Sequence, residues 1–493
     1  MSREEIEQVE KELDEVLEIV QRPVPVKNTG REETVSLQEN LQENDPLQEE
    51  MQIETEKEEK EEKEDSPESA AKEQTAVSEE ELDLEDDIEN GYFHFLRPSD
   101  GLIAAFFVPV AVLIILFAQR GIFPFGEECF LRTDMYHQYA PFFSEFQYKL
   151  KQGGSLLYSW DIGMGVNFSA LYAYYLASPV NWLIILCPKK FIIEFMTILI
   201  MVKTGLCGVT FTWYLDHHFE KKHFVAGVFG IFYALSGYMA AYSWNIMWLD
   251  CIFLLPLILY GLEQLVQEKK GLFYCVTLGL SILSNYYISI MICIFMVMYV
   301  IVQVILYPSK KIKDLVATGV RFGFYSLLAG GLAAVVLLPE IYALQATASG
   351  DFDFPKTISC YFSIFDMIAR HIGNVGTEIG LDHWPNIYCG VAVLMFLLLY
   401  LGAKKITVRE KAVYCGLLLM FYASFSINVL NFIWHGFHYP NSLPCRQSFI
   451  YIAFGADYVL SGLPGIERNF LETGGVGVLG CHYLCAHGRE TCG

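Results

Sequence analysis

No Cys-x-x-Cys pair occurs among the 13 cysteines of this 493-residue chain, so the commonest spacing for a zinc or thiol-redox site is missing. Most of the cysteines (Cys187, Cys207, Cys251, Cys275, Cys293, Cys389 and Cys415) stand singly inside apolar runs, where a thiol acts as a small buried hydrophobe. No metal site is read from them. Excess positive charge is missing too: the formal net charge is −23, the wrong sign for gripping nucleic-acid phosphates. The N-terminus lacks the charge and length pattern of a secretory signal. Asp, Glu, Lys and Arg are sparse in the long apolar runs, with Glu194, Lys203 and Arg321 among the few exceptions. Translocation paths are usually lined by such groups on interrupted spans in two matching halves, and no paired interruption is found.

The acidity belongs to one end. Residues 1–90 hold 33 Asp and Glu against 9 Lys and Arg, which leaves 24 acids and 25 bases for residues 91–493. Stretches such as "EKEEKEEKEDSPESAAKEQ" have too few large apolar side chains to offset their ordering entropy. Residues 1–90 are therefore expected to form a disordered acidic cytoplasmic tail, with helical spacing for a short docking helix only in the first twenty residues. The rest is apolar, nearly neutral and rich in Phe and Tyr, the composition of a membrane protein.

A helix needs about 20 apolar residues to cross a hydrocarbon core of about 30 Å. Candidate spans are 101–119, 192–214, 223–243, 250–266, 271–287, 288–307, 319–339, 385–402, 411–430 and 447–463. The expected fold is an all-α polytopic bundle of about 10–11 spans within residues 91–465. Lys and Arg gather in "EKKH" (220–223), "QEKKG" (267–271), "SKKIKD" (309–314) and "AKKITVREK" (403–411), which the positive-inside bias places in the cytoplasm with the N-terminus. Alternation then closes with a large first extracytoplasmic loop at 120–191 and further outer loops at 340–384 and 431–446. The apolar stretch "ALYAYYLASPVNWLIILCP" (170–188) falls inside the first of these and reads as interfacial or re-entrant. An ordinary span with a hidden crossing nearby is the competing reading.

The segment "LRTDMYHQYAPFF" (131–143) puts Asp134 just past the first span. Tyr136, His137 and Tyr139 surround it with apolar bodies and polar tips, and Asp161 lies in the same loop. A carboxylate near the bilayer boundary is cheap to keep there, so a solvated acid beside an aromatic belt is one reading. A general base is the other. An outer-face sugar transferase must take a proton from an acceptor hydroxyl and offset the charge of a departing lipid phosphate with Arg or Lys. Arg446 in "SLPCRQSF" suits that second task, with Arg370 and His371 as further candidates and His435 and His438 nearby in sequence. Asp250, ending "WNIMWLD", either binds a donor phosphate through a divalent cation or terminates a turn. Glu340, after Pro339, either lines the same cavity or is an ordinary helix-end carboxylate.

Five stretches in a fixed order carry a family resemblance: "DMYHQYAPFF" (134–143), "LLYSWDIGMGVNFSALYAYYLASPVNWLIILCP" (156–188), "ALSGYMAAYSWNIMWLDCIFLLPLILYGLEQL" (234–265), "LSILSNYYISIMICIF" (280–295) and "LPCRQSFIY" (443–451). Across about residues 101–460 the chain resembles the YfhO-type bacterial membrane proteins, which have the multi-span architecture of GT-C glycosyltransferases. The resemblance implies an enzyme that takes sugar from a polyprenyl-phosphate donor to a cell-envelope glycopolymer such as a teichoic acid. It also implies that Asp134 matches the catalytic acid of the first extracytoplasmic loop. A transporter or flippase of lipid-linked sugars, or a non-catalytic membrane scaffold, stays open beside it. Residues 466–493, Gly- and Cys-rich without a span period, read as an atypical tail of a truncated or frame-shifted product.

Overall fold

A computed structural model describes residues 98–219, 224–308, 311–347, 354–402 and 406–455. Both terminal tails singled out in the sequence lie outside the described residues. In chain order the helices used below are α1 (Pro98–Gln119), α2 (Ala140–Gln152), α3 (Ile192–His218), α4 (Phe224–Ala234), α5 (Gly237–Tyr242), α6 (Leu249–Gln267), α7 (Leu272–Ser284), α8 (Tyr286–Leu306), α9 (Ile312–Leu332), α10 (Ala334–Gln345), α11 (Val391–Gly402), α12 (Val408–Ser426) and α13 (Asn428–Trp434). One small antiparallel hairpin, Tyr158–Ser159 with Val166–Asn167, is the only sheet among the described residues. The fold is an all-α membrane bundle.

Six described helices are long and apolar enough to cross a membrane, or seven if one sharply bent pair counts as a span. Ten or eleven were expected; the expected span 447–463 runs past the described residues, and several other apolar stretches form shorter helices among them. α7 has 13 residues, and α10 and α11 have 12 each. At 1.5 Å per residue these reach only about 18–20 Å. The run 319–339 is not one helix. α9 starts seven residues earlier and stops at Leu332, and α10 resumes at Ala334 with Pro339 inside it. Glu340 therefore lies in the middle of α10, not at a helix end.

The stretch 170–188 is the bent pair: Phe168–Leu176 and Pro179–Leu186 meet at 102°. Pro179 has no N–H, and the residue before proline is pushed toward extended backbone. Ser178 sits at φ −53°, ψ 128°, and the chain bends sharply there, as either a broken span or a re-entrant loop would. The segment after α1 is itself built, with α2 burying Phe143, Phe146 and Gln147 on one face.

α1 packs against α3 and α4 through backbone. A Cβ on Gly208 would lie 2.1 Å from the Ala105 carbonyl oxygen, and one on Gly227 would lie 2.6 Å from the Gly101 carbonyl oxygen. Only glycine permits that approach, which is how membrane helices gain packing without a hydrophobic drive between them. α6 is the enclosed centre, with 72% of its apolar window buried, whereas α9 is peripheral with 6%.

Candidate functional site

The site starts where α1 ends. Met135–Tyr139 forms a π-helical turn that runs directly into α2, with Asp134 at its N-terminal boundary. Such turns recur at functional sites because they re-aim side chains within a helix. Thr133 sits in the left-handed region at φ 51°, an uncommon conformation for a β-branched residue. Tyr139 points inward, donates to Asn245 Oδ1 at 2.8 Å and stacks near Trp244 at 6.0 Å. Tyr136 and His137 point outward, edge to face at 5.1 Å, with Tyr136 66% exposed. The half-buried Asp134 carboxylate has no hydrogen bond or ion pair among the described residues.

A second π-helical turn, Tyr172–Leu176, faces the first from the bent hairpin. Tyr175 donates to Gln138 Oε1 at 2.9 Å, and its ring lies 5.6 Å from Tyr139. Tyr174 continues the wall to Tyr287 at 6.1 Å. The Arg446 guanidinium lies 5.2 Å from the Tyr287 ring and 5.3 Å from the Trp248 ring. It donates to the carbonyls of Leu443 and Ser442 at 3.1 and 3.0 Å, and no carboxylate pairs with it among the described residues. Phe437, Leu443 and Cys445, all in the left-handed region, lie within nine residues of it. Non-glycine residues held there cost energy and concentrate at functional sites. Here they bracket both Asp134 and Arg446.

Electrostatics link the two charges. Burial holds the Tyr139 phenol well above its ordinary range; Tyr174, Tyr175 and Asp134 add to the shift, and Arg446 opposes it. The carboxylate and the guanidinium therefore act on the same hydroxyl. His435 is buried, and its Nδ1 donates to the Asn431 carbonyl at 2.7 Å, leaving Nε2 as an unpartnered acceptor. Burial first, and the Arg446 charge second, push its pKa down to about 3. The Tyr238 hydroxyl, the Trp248 indole N–H and the Asn431 amide are also buried without partners. His438 Nε2 lies 3.5 Å from the Tyr287 hydroxyl.

Other residues singled out by sequence lie elsewhere or are already engaged. Asp161 is exposed in the turn of the small hairpin, which Ser159 ties to α2 by donating to Glu145 Oε1 at 2.6 Å. Nothing among the described residues links Asp161 to Asp134 or Arg446. Asp250 is buried in an ion pair with Lys203 at 2.5 Å. Glu340 accepts from Tyr286 at 2.7 Å, its other oxygen is buried without a partner, and Tyr286 lies 6.0 Å from Tyr174. Glu340 thus borders the aromatic wall. Arg370 clamps the Pro385 carbonyl and Asn386 Oδ1 at 3.0 and 3.1 Å, and His371 Nε2 meets the Tyr451 hydroxyl at 2.9 Å. No group of three or more His, Cys, Asp or Glu gathers for a metal among the described residues.

Sequence reasoning missed Asn245, Tyr174, Tyr175 and Trp248 as parts of this wall. Their one signal was aromatic density in "YAYY" (172–175) and "WNIMW" (244–248), which is equally the mark of an interfacial belt.

Neither the curated proteins nor the solved structures contain a match. Residues 104–476 do match the family described as "Bacterial membrane protein YfhO". That match covers well over half of the chain and includes both Asp134 and Arg446, so this multi-pass membrane protein belongs to the YfhO family.

Proposed function

We propose that this chain is a GT-C-type glycosyltransferase of the cell membrane, with its N-terminus in the cytoplasm. It moves a sugar from a polyprenyl-phosphate donor to a cell-envelope glycopolymer, such as a teichoic acid, on the outer face. One observation carries this reading: an unpartnered carboxylate and a cation without a carboxylate are joined by one aromatic wall, Tyr139, Tyr175, Tyr174 and Tyr287. Asp134 is exposed enough for an acceptor hydroxyl to reach it. That hydroxyl oxygen bonds to the anomeric carbon while its proton passes to Asp134. The bond from the anomeric carbon to the phosphate oxygen breaks, and its electron pair leaves on the lipid phosphate. Arg446 offsets the charge that develops there, in a site where burial makes such help strong. The tyrosines offer ring faces to the sugar and to the apolar donor chain.

A flippase for the same lipid-linked sugar would draw on ionisable groups inside the bundle. Lys203 and Asp250 are the deepest of these, and they are already paired with each other, which favours the transferase. The test is complementation of a strain lacking its own family member, using full-length versions matched for membrane expression. Asp134→Asn is expected to lower envelope glycosylation by about 10²- to 10⁴-fold, the usual contribution of a positioned base. Equal sugar from both versions would remove Asp134 from the chemistry.

A further inference from the structure

Tyr174 and Tyr175, the rings that join the Asp134 turn to the Arg446 side, are carried by the bent hairpin Phe168–Leu176 and Pro179–Leu186. The apex of that hairpin is buried yet polar. Ser178, 1% exposed, donates its hydroxyl to Asp250 Oδ1 at 2.8 Å. Lys203 takes the other oxygen, Oδ2, at 2.5 Å and also donates to the Ile246 carbonyl at 3.2 Å. Three pieces of chain thus meet at one carboxylate: the hairpin apex, α3 and α6.

The ion pair by itself would hold α3 to α6. The bond from Ser178 adds nothing to that union and serves only to fix the hairpin. Other ties hold its arms, such as Asn285 Nδ2 on the Tyr174 carbonyl at 2.9 Å and Gln147 Nε2 on the Ile184 carbonyl at 2.9 Å. Those acceptors are neutral carbonyls. At the apex the acceptor is a carboxylate, and hydrogen bonds to charged acceptors are the strong ones. A proline immediately follows, so the backbone there has one donor fewer to fix its own position.

We infer that Ser178 is a positioning residue: through the Asp250–Lys203 pair it sets the depth of the hairpin and so the placement of Tyr174 and Tyr175 between Asp134 and Arg446. Its effect on turnover rests on the transferase reading; its effect on the hairpin does not. Asp250 then acts as the hairpin's anchor and not as a ligand for substrate.

The experiment is amide hydrogen exchange by mass spectrometry on the full chain in lipid nanodiscs, with sugar transfer measured on the same samples. Ser178→Ala is expected to speed exchange across 172–187 by about tenfold or more, the loss of one charge-assisted hydrogen bond, and to leave α3 and α6 unchanged. Transfer should fall in kcat with little change in donor KM, and Ser178→Thr, which keeps the hydroxyl, should restore both. Should the alanine variant fail to fold, Ser178→Cys, a weaker donor, is expected to give a smaller increase over the same residues. Wild-type exchange in the variant that folds would overturn the proposal. Looser exchange in Ser178→Ala with no transfer even from the wild type would sink the transferase reading and leave the positioning role standing.

Discussion

The interior of the bundle and its proposed outer mouth treat charge in opposite ways. Inside, α3 and α6 are braced twice. Lys203 meets Asp250 at 2.5 Å, and His218 meets Glu263 Oε2 at 2.9 Å. Tyr214 and Tyr299 both donate to the remaining Glu263 oxygen, at 3.0 and 2.7 Å. At the mouth, Asp134 and Arg446 have no oppositely charged partner among the described residues. An ionised group far from water is costly unless it is paired, so deep charges survive as braces. A charge near the boundary pays a smaller desolvation cost and can wait for a ligand. The difference separates structural charges from functional ones more sharply than depth alone.

The contrast breaks most visibly at Asp250. Replacing it with Ala strands the Lys203 ammonium, and removing one partner of a buried pair costs about 3–5 kcal/mol. A melting series in detergent should show that loss. The double change Lys203→Met with Asp250→Leu should recover much of it, since buried pairs are often no better than well-packed apolar replacements. Were the single variant no worse than the double, the pair would not be a brace.

Arg446 gives the next effect and the sharper discrimination. Arg446→Gln is expected to lower transfer by about 10²- to 10³-fold, the typical loss of one charge-stabilising group. Its stability cost should stay near 1–2 kcal/mol, the worth of two ring contacts. Arg446→Lys should not restore transfer, because an ammonium cannot reproduce the planar fork. A large stability loss with no separate effect on transfer would make Arg446 a brace of the Lys203 kind.

A smaller effect follows from pH. Burial lowers His371 to about 4 and His435 to about 3, both below the ordinary value near 6.5. The folded state therefore excludes protons that the unfolded chain binds. Stability is full above pH 6.5 and falls as pH drops through 6.5 toward 4 and then 3, by up to about 1.4 kcal/mol per pH unit for each histidine. Melting between pH 6.5 and 4.5 should show this slope, and His435→Asn should remove one histidine's share of it.

How much of this was legible beforehand depended on whether a pattern was local. The acid after the first span, the arginine in "LPCRQSF" and the Ser-Pro turn at 178–179 are local marks, and their structural settings follow from simple rules about spans and proline. The partner of Lys203 was not legible, because Asp250 is 47 residues away and joins it only through the packing of α3 on α6. The tyrosine wall was not legible either: π-helical turns at Met135–Tyr139 and Tyr172–Leu176 turn Tyr139 inward and bring the two segments together, and neither turn has a spacing signature. The break at Ala333 between α9 and α10 lies within an unbroken apolar run, so hydropathy gave one span where there are two helices.

The smallest expected effect tests the contrast most closely, because Asp161 and Asp134 look alike in sequence. Both are acids among aromatics in the same loop, "SWDIG" and "RTDMY". Their surroundings differ. The Asp161 backbone N–H is taken by the Ser159 hydroxyl at 3.2 Å, and its side chain stands in water at the turn of a hairpin tied to α2. Gly165 fixes that turn at φ 113°, where a Cβ would collide with the Tyr158 hydroxyl at 1.9 Å. Asp161→Asn changes neither a buried partner nor the turn, so it should cost no more than about 0.5 kcal/mol and leave transfer within about threefold of wild type, the same small increment read as a rate. Paired assays of the two Asn variants, at matched expression, compare equal chemistry in unequal settings. If Asp161→Asn matched the loss in Asp134→Asn, a solvated acid would be sharing the proton transfer, and the absence of a partner at Asp134 would no longer mark the functional charge.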